Sequence, residues 1–122
     1  MSNPLTISYG DTPDGPAALE AVLQFMADAG AVFEIEVVQL GTELVKLGFD
    51  KGFDQEAITK IRRAGVLLKA PTVEDVTTPL REVLEDEVMI FEAAAPTIPA
   101  TLEAAVNMLR YLGQDQIAEF IK

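Results

Sequence analysis

The chain contains no cysteine and no histidine in 122 residues. The first absence excludes a disulfide framework, a thiolate nucleophile and a zinc–sulfur site. The second removes the commonest general base and the commonest transition-metal ligand, so acid–base chemistry would have to rest on carboxylates, lysine, tyrosine or hydroxyls. Positive charge is scarce too: nine Lys and Arg stand against 20 Asp and Glu, a formal net charge of −11. Such a surface repels phosphate backbones and anionic lipid headgroups, so neither nucleic acid nor a membrane surface is an expected partner. No apolar run approaches the roughly 18 residues of a membrane span, and "MSNPLTISYG" lacks the basic start and apolar stretch of a signal peptide. A soluble, cytoplasmic protein of one domain is the expectation over residues 1–122.

What is present alternates between two periodicities. Residues 5–9 form a short β-prone run that ends at Gly10. After a turn, Leu19, Val22, Leu23 and Met26 repeat at the spacing of an amphipathic helix, with Pro16 suited to its first turn and Gly30 to its stop. In residues 33–39, Phe33, Ile35 and Val37 alternate with Glu34 and Glu36, the period of a half-exposed strand at or near a sheet edge. "TELVKLG" offers Thr42 as a cap and Gly48 as a stop. "DQEAITKIRRAG" offers Asp54 as a cap, with Ala57, Ile58, Ile61 and Ala64 on one face. Its closing Lys60, Arg62 and Arg63 complement the negative helix end, a simpler account than an anion site. "VLLKAP" reads as a strand buried on both faces, Thr78 and Pro79 as a helix start, and "VMIFEA" as a fourth strand. Leu102, Ala105, Val106, Leu109 and Leu112 mark a further helix, and "DQIAEFIK" a last short one. The pattern predicts a three-layer α-β-α fold around a mainly parallel sheet of about four strands. The first strand should lie between the second and third, joined by right-handed crossovers.

Few residues carry a chemical signature. The turn "GDTPDGP", with Gly10, Asp11 and Gly15, resembles a phosphate-binding loop but has only the outer two glycines of the G-x-G-x-x-G pattern. Asp11 and Asp14 place carboxylates where phosphate oxygens would approach, so a structural turn capping the first helix is the simpler account. Asp11 with Asp14, and Glu85 with Asp86 and Glu87, are the only carboxylate clusters suited to a hard cation, and neither has the spacing of a calcium loop. Tyr9 and Tyr111 fall inside an expected strand and helix, where packing explains them. Metal and catalytic residues are therefore assigned nowhere.

Taken in order, "LTISYGD…GPAALEAVL", "IRRAGVLLKAPT", "VMIFEA…AP" and "AAVNMLRYLGQDQIAEFI" resemble the isocitrate and isopropylmalate dehydrogenase family. The similarity lies over residues 5–72 and 88–121 and corresponds to the first domain of that family; residues 73–87 stand where the much longer family members insert a second. The resemblance implies that the inserted domain's catalytic tyrosine and lysine, its metal-binding aspartates and most of the dimer contact have no counterpart here. Within what remains, Lys69 matches a family lysine near the substrate and Arg81 an anion-binding arginine, together a candidate residual anion or substrate site. Anchoring the family's Ser-x-Asn-x-x-x-Arg on Arg81 puts Asp75 at the serine and Thr77 at the asparagine. Alternatively "TTP" at 77–79 matches the family's threonine-threonine-proline after Lys-Ala-Pro. Under both alignments the glycine-rich loop is gone. "FEAAAPTIPA" lacks the family's His-Gly and the aspartate after Ala-Pro that receive the nucleotide.

The expected function is that of a truncated, non-catalytic relative with a binding or regulatory role. No cofactor is expected, and NAD or NADP is the nucleotide to look for if binding persists. Two alternatives stay open, a residual nucleotide- or small-anion-binding module and an excised domain of an NAD(P)-dependent decarboxylating dehydrogenase. A monomer, or an assembly unlike the family's, is expected. The mixed apolar and acidic segment from Pro71 to Glu87 is the candidate surface for a protein partner.

Overall fold

The computed structural model describes residues 3–122. Four parallel strands, β1 (Asn3–Ser8), β2 (Phe33–Val37), β3 (Val66–Lys69) and β4 (Met89–Glu92), form one sheet in the order β2-β1-β3-β4. Between them run α1 (Gly15–Asp28), α2 (Thr42–Lys46), α3 (Gln55–Ala64) and α4 (Thr77–Leu84). The chain closes with α5 (Ile98–Tyr111) and α6 (Asp115–Ile121). The first strand lies between the second and third, as the pattern predicts. The chain moves outward from β1 to β2 over one face and back toward β3 and β4 over the other, as a single crossover hand requires.

Strand alternation divides the interior into two cores. Leu5, Ile7, Val66 and Leu68 point to the layer of α1, α5 and α6, where they meet Leu19, Val22, Met26, Ala105, Met108 and Leu109. Leu67 and Ile90 point the other way, onto Ile58, Ile61, Leu80 and Leu84 of α3 and α4. All four residues of β3 are buried, so the continuous run "VLLK" is a strand covered on both faces.

Several boundaries differ from the sequence expectation. β1 ends at Ser8, which leaves Tyr9 outside the sheet with its hydroxyl donating to Glu20 at 2.5 Å. Thr42 is the first residue of α2 rather than its cap, a position taken by Gly41. α4 begins at Thr77 and not after Thr78; the carboxylate that receives a first-turn N–H is Asp75, from Thr78 at 3.1 Å. In β2, Phe33 is half-buried against the first core, but Ile35 and Val37 are 45% and 50% exposed, as open as the acidic residues between them. The strand is the last in the sheet, and the helical layer reaches Phe33 but does not extend over Ile35 and Val37. Asp54 does cap α3, accepting from the Ala57 N–H at 2.9 Å. The basic residues of α3 are held in surface ion pairs: Lys60 with Glu56, Arg62 with Glu87 and Arg63 with Glu36.

Candidate functional site

In open parallel sheets, ligands bind beyond the carboxyl ends of the strands, where successive connections leave in opposite directions. Here that point lies between β1 and β3. The residues beyond it are Gly10, Asp11, Lys69 and the segment from Ala70 to Val73, so the topology gathers Gly10, Asp11, Gly15 and Lys69 at one end of the sheet.

Asp11 dominates the arrangement. Its Oδ2 accepts from the Thr42 N–H at 2.8 Å and the Thr42 hydroxyl at 2.7 Å, while Oδ1 accepts from the Val73 N–H at 2.7 Å. One carboxylate thus joins the β1–α1 turn to the start of α2 and to the loop after β3. Burial alone would raise the Asp11 pKa, but the Thr42 and Val73 donors outweigh it and hold the group below the usual carboxylate range. Two glycines make the bridge fit. A side chain at Gly10, whose φ is 74°, would collide with the Pro71 carbonyl oxygen. One at Gly41, whose φ is 104°, would press on Asp11 Oδ2. Gly15 opens α1 and is buried, while Asp14 at the cap position makes no side-chain bond to the helix. The turn therefore caps α2 through Asp11 rather than α1, a correction to the sequence expectation.

Lys69 is equally engaged. Its side chain is fully buried, and Nζ donates to Glu92 Oε2 at 2.6 Å, Thr72 Oγ1 at 3.1 Å and the Ala70 carbonyl at 3.3 Å. These three acceptors match the three donors of an ammonium. Glu92 is the residue the structure adds to the sequence reading. A signal for it existed, because "VLLK" and "MIFE" pair in register and end on Lys69 opposite Glu92. Arg81 shares none of these partners: it is exposed on α4, and Nη2 makes one long bond, 3.4 Å, to the Ile90 carbonyl. Lys69 and Arg81 thus have separate partners rather than a common anion pocket.

Beside Asp11 a shallow hollow is lined by Ser8, Val38, Leu40 and Glu43. The Ser8 hydroxyl is buried there without a hydrogen-bond partner. Of the Pro71 to Glu87 segment, Val76, Leu80 and Leu84 are buried in the second core and Val83 is half-buried, leaving Val73 exposed among carboxylates.

No family model matches the chain. It is 40% identical over 76 residues to the isocitrate dehydrogenases [NADP] of Rickettsia felis and Rickettsia conorii, a match that covers 62% of this chain. A crystal structure of the TT0538 protein from Thermus thermophilus superposes with a TM-score of 0.61 over 66% of this chain at 30% identity. The chain spans 15% of the length of the rickettsial proteins and 17% of the Thermus chain. The parallel sheet and these matches show that the chain is similar to part of a domain of isocitrate dehydrogenases.

Proposed function

We propose that the chain is a non-catalytic, isocitrate-dehydrogenase-like module that acts by binding another macromolecule rather than by turning over a substrate. The observation that carries this reading is the Asp11 bridge. The Thr42 N–H, the Thr42 hydroxyl and the Val73 N–H at the ligand-binding end already serve an internal carboxylate, while the buried Ser8 and Thr12 hydroxyls have no partner. The buried ammonium of Lys69 likewise serves Glu92 and Thr72. An incoming carboxylate or phosphate would have to displace Asp11 while lying close to its charge and that of Glu43, a like-charge approach that costs binding.

The residues do not fit a nicotinamide nucleotide either. Thr97, directly after Ala95 and Pro96, accepts the Ala100 N–H at 3.3 Å to cap α5, and residues 93–102 contain no Asp or Glu to receive a ribose hydroxyl. A second reading, a residual small-anion site, draws on Arg81, which is exposed and has a single weak bond.

Two measurements on the purified chain test these readings. Incubation with isocitrate, NADP and magnesium or manganese is expected to give no cofactor reduction above background. Thermal-shift titration with NAD, NADP, isocitrate and phosphate is expected to leave the midpoint unchanged, whereas a true ligand at a hundredfold excess over its Kd stabilises by about 2.7 kcal/mol. Steady reduction, or a saturable shift with a nucleotide, would overturn the non-catalytic reading. A shift with phosphate or isocitrate alone, lost in Arg81→Ala, would establish the second.

A further inference from the structure

Among the described residues β2 ends the sheet on the side away from β4, and no strand pairs with its outer edge. The Val32 carbonyl accepts from Asn3 and the Val38 N–H donates to Ile7, so the even-numbered residues turn their backbone groups toward β1. By the alternation of a parallel ladder, the N–H and C=O groups of Phe33, Ile35 and Val37 face outward. The edge is short and carries two glutamates, which disfavour pairing with an acidic or identical strand, but other protections are missing. The strand "FEIEV" has no proline and no lysine, and its pairing with β1 runs one to one without a bulge. Its two faces differ in chemistry: Ile35 and Val37 lie exposed on one, Glu34 and Glu36 on the other. Glu36 is paired with Arg63 at 3.6 Å, whereas Glu34 has no ion-pair partner among the described residues.

We propose that β2 is a docking edge for an extended polypeptide segment in which apolar residues alternate with Lys or Arg, added as a fifth strand. Its backbone would satisfy the outward groups of Phe33, Ile35 and Val37. Its apolar side chains would cover Ile35 and Val37, and its basic ones would meet Glu34 and Glu36 across the strand pair. A second copy of this chain is a poor occupant. Antiparallel pairing about Ile35 would set Glu34 of each copy opposite Glu36 of the other, between two bodies each of charge −11. This inference supplies the surface for the binding role proposed above and rests on that role alone.

The test is an amide NMR titration of the full chain with the capped peptide acetyl-Lys-Val-Arg-Ile-Lys-Val-amide. Two controls are its glutamate counterpart and a form N-methylated at alternate residues. The expected result is saturable shift changes centred on residues 33–37, slowed hydrogen exchange at Ile35 and Val37, and loss of binding on N-methylation. The double variant Glu34→Lys, Glu36→Lys should weaken the basic peptide about tenfold and favour the acidic one. Shifts scattered over the acidic surface, equal binding of the N-methylated peptide, or dimerisation through β2 in light scattering would each overturn the proposal. Thermal shifts with NADP and isocitrate on the same samples separate a failed docking edge from a failed non-catalytic reading.

Discussion

Replacing Asp11 by alanine removes the acceptor of three hydrogen bonds of 2.7 to 2.8 Å, two of them from backbone N–H groups in segments far apart in sequence. A hydrogen bond to a charged group contributes about 1.5–3 kcal/mol net, and three would sum to roughly 5–9 kcal/mol if independent and dry. They are neither: the three share one carboxylate, and the site is only partly buried, so water can replace part of what is lost. We therefore expect Asp11→Ala to destabilise the fold by about 2–4 kcal/mol, with Asp11→Asn close behind, because its NH2 group meets donors where an acceptor is needed. In a chain of 122 residues this should lower Tm by roughly 8–15 °C. The same contacts set a pH dependence. Asp11 has its pKa lowered in the folded state, so its stabilisation is complete above the unfolded value near 3.8 and is lost as pH falls through the folded value. Urea denaturation at pH 7 and at progressively lower pH should therefore show the wild type converging on Asp11→Ala in acid. A variant within about 0.5 kcal/mol of wild type at pH 7, or a difference that persists unchanged in strong acid, would refute the reasoning.

Three further outcomes follow from single sites. Glu92→Ala should cost about 2–4 kcal/mol in urea denaturation because it leaves the buried Lys69 ammonium short of an acceptor, while Lys69→Met, which removes the charge itself, should cost less. Glu85 is the one non-glycine residue with positive φ, 54°, among the described residues, so Glu85→Gly should stabilise by about 0.5–1.5 kcal/mol as relief of strain exceeds the added chain entropy. The Tyr9 hydroxyl is pushed up to about 12 chiefly by its hydrogen bond to Glu20, and its stabilisation is present below pH 10 and lost as pH rises toward 12. In a Tyr111→Phe background, ultraviolet titration of the phenolate should place Tyr9 near 12 and the Glu20→Ala variant closer to 10.

The parts of the fold that follow from near neighbours were legible in the sequence. "VLLK" declared its double burial by lacking polar alternation, Asp54 declared a cap three residues before the N–H it serves, and Leu19, Val22 and Met26 declared a face. The strand order followed from the alternation of elements. The candidate site was less legible because its contacts join residues far apart in the chain. Asp11 is 31 positions from Thr42 and 62 from Val73, and nothing local to "GDTPDG" distinguishes a carboxylate facing solvent from one that ties three loops. The Lys69 to Glu92 pair spans 23 positions and is visible only once β3 and β4 are set in register. For β2 the period was right and the burial was not. Alternation specifies which residues share a face, whereas the presence of a helix over that face depends on where the layers end.

The closed ligand end and the open edge differ in what a substitution can do there. At the Asp11 bridge, each donor satisfied internally is a donor that needs no ligand, so the bridge adds stability without regard to what the cell supplies. A variant that freed those donors to receive a phosphate or carboxylate would first have to give up that stability. It could recover it only at ligand concentrations well above Kd. At β2 the opposite holds: the outward backbone groups pair with no other strand of the described residues, and pairing them breaks no strand hydrogen bond, although a basic side chain would compete with Arg63 for Glu36. Strand addition there is limited chiefly by the ordering of the incoming segment, which a preformed, rigid template reduces only on its own side. New binding is therefore accessible at Phe33–Val37 at little cost to the fold, and accessible near Asp11 only by loosening it.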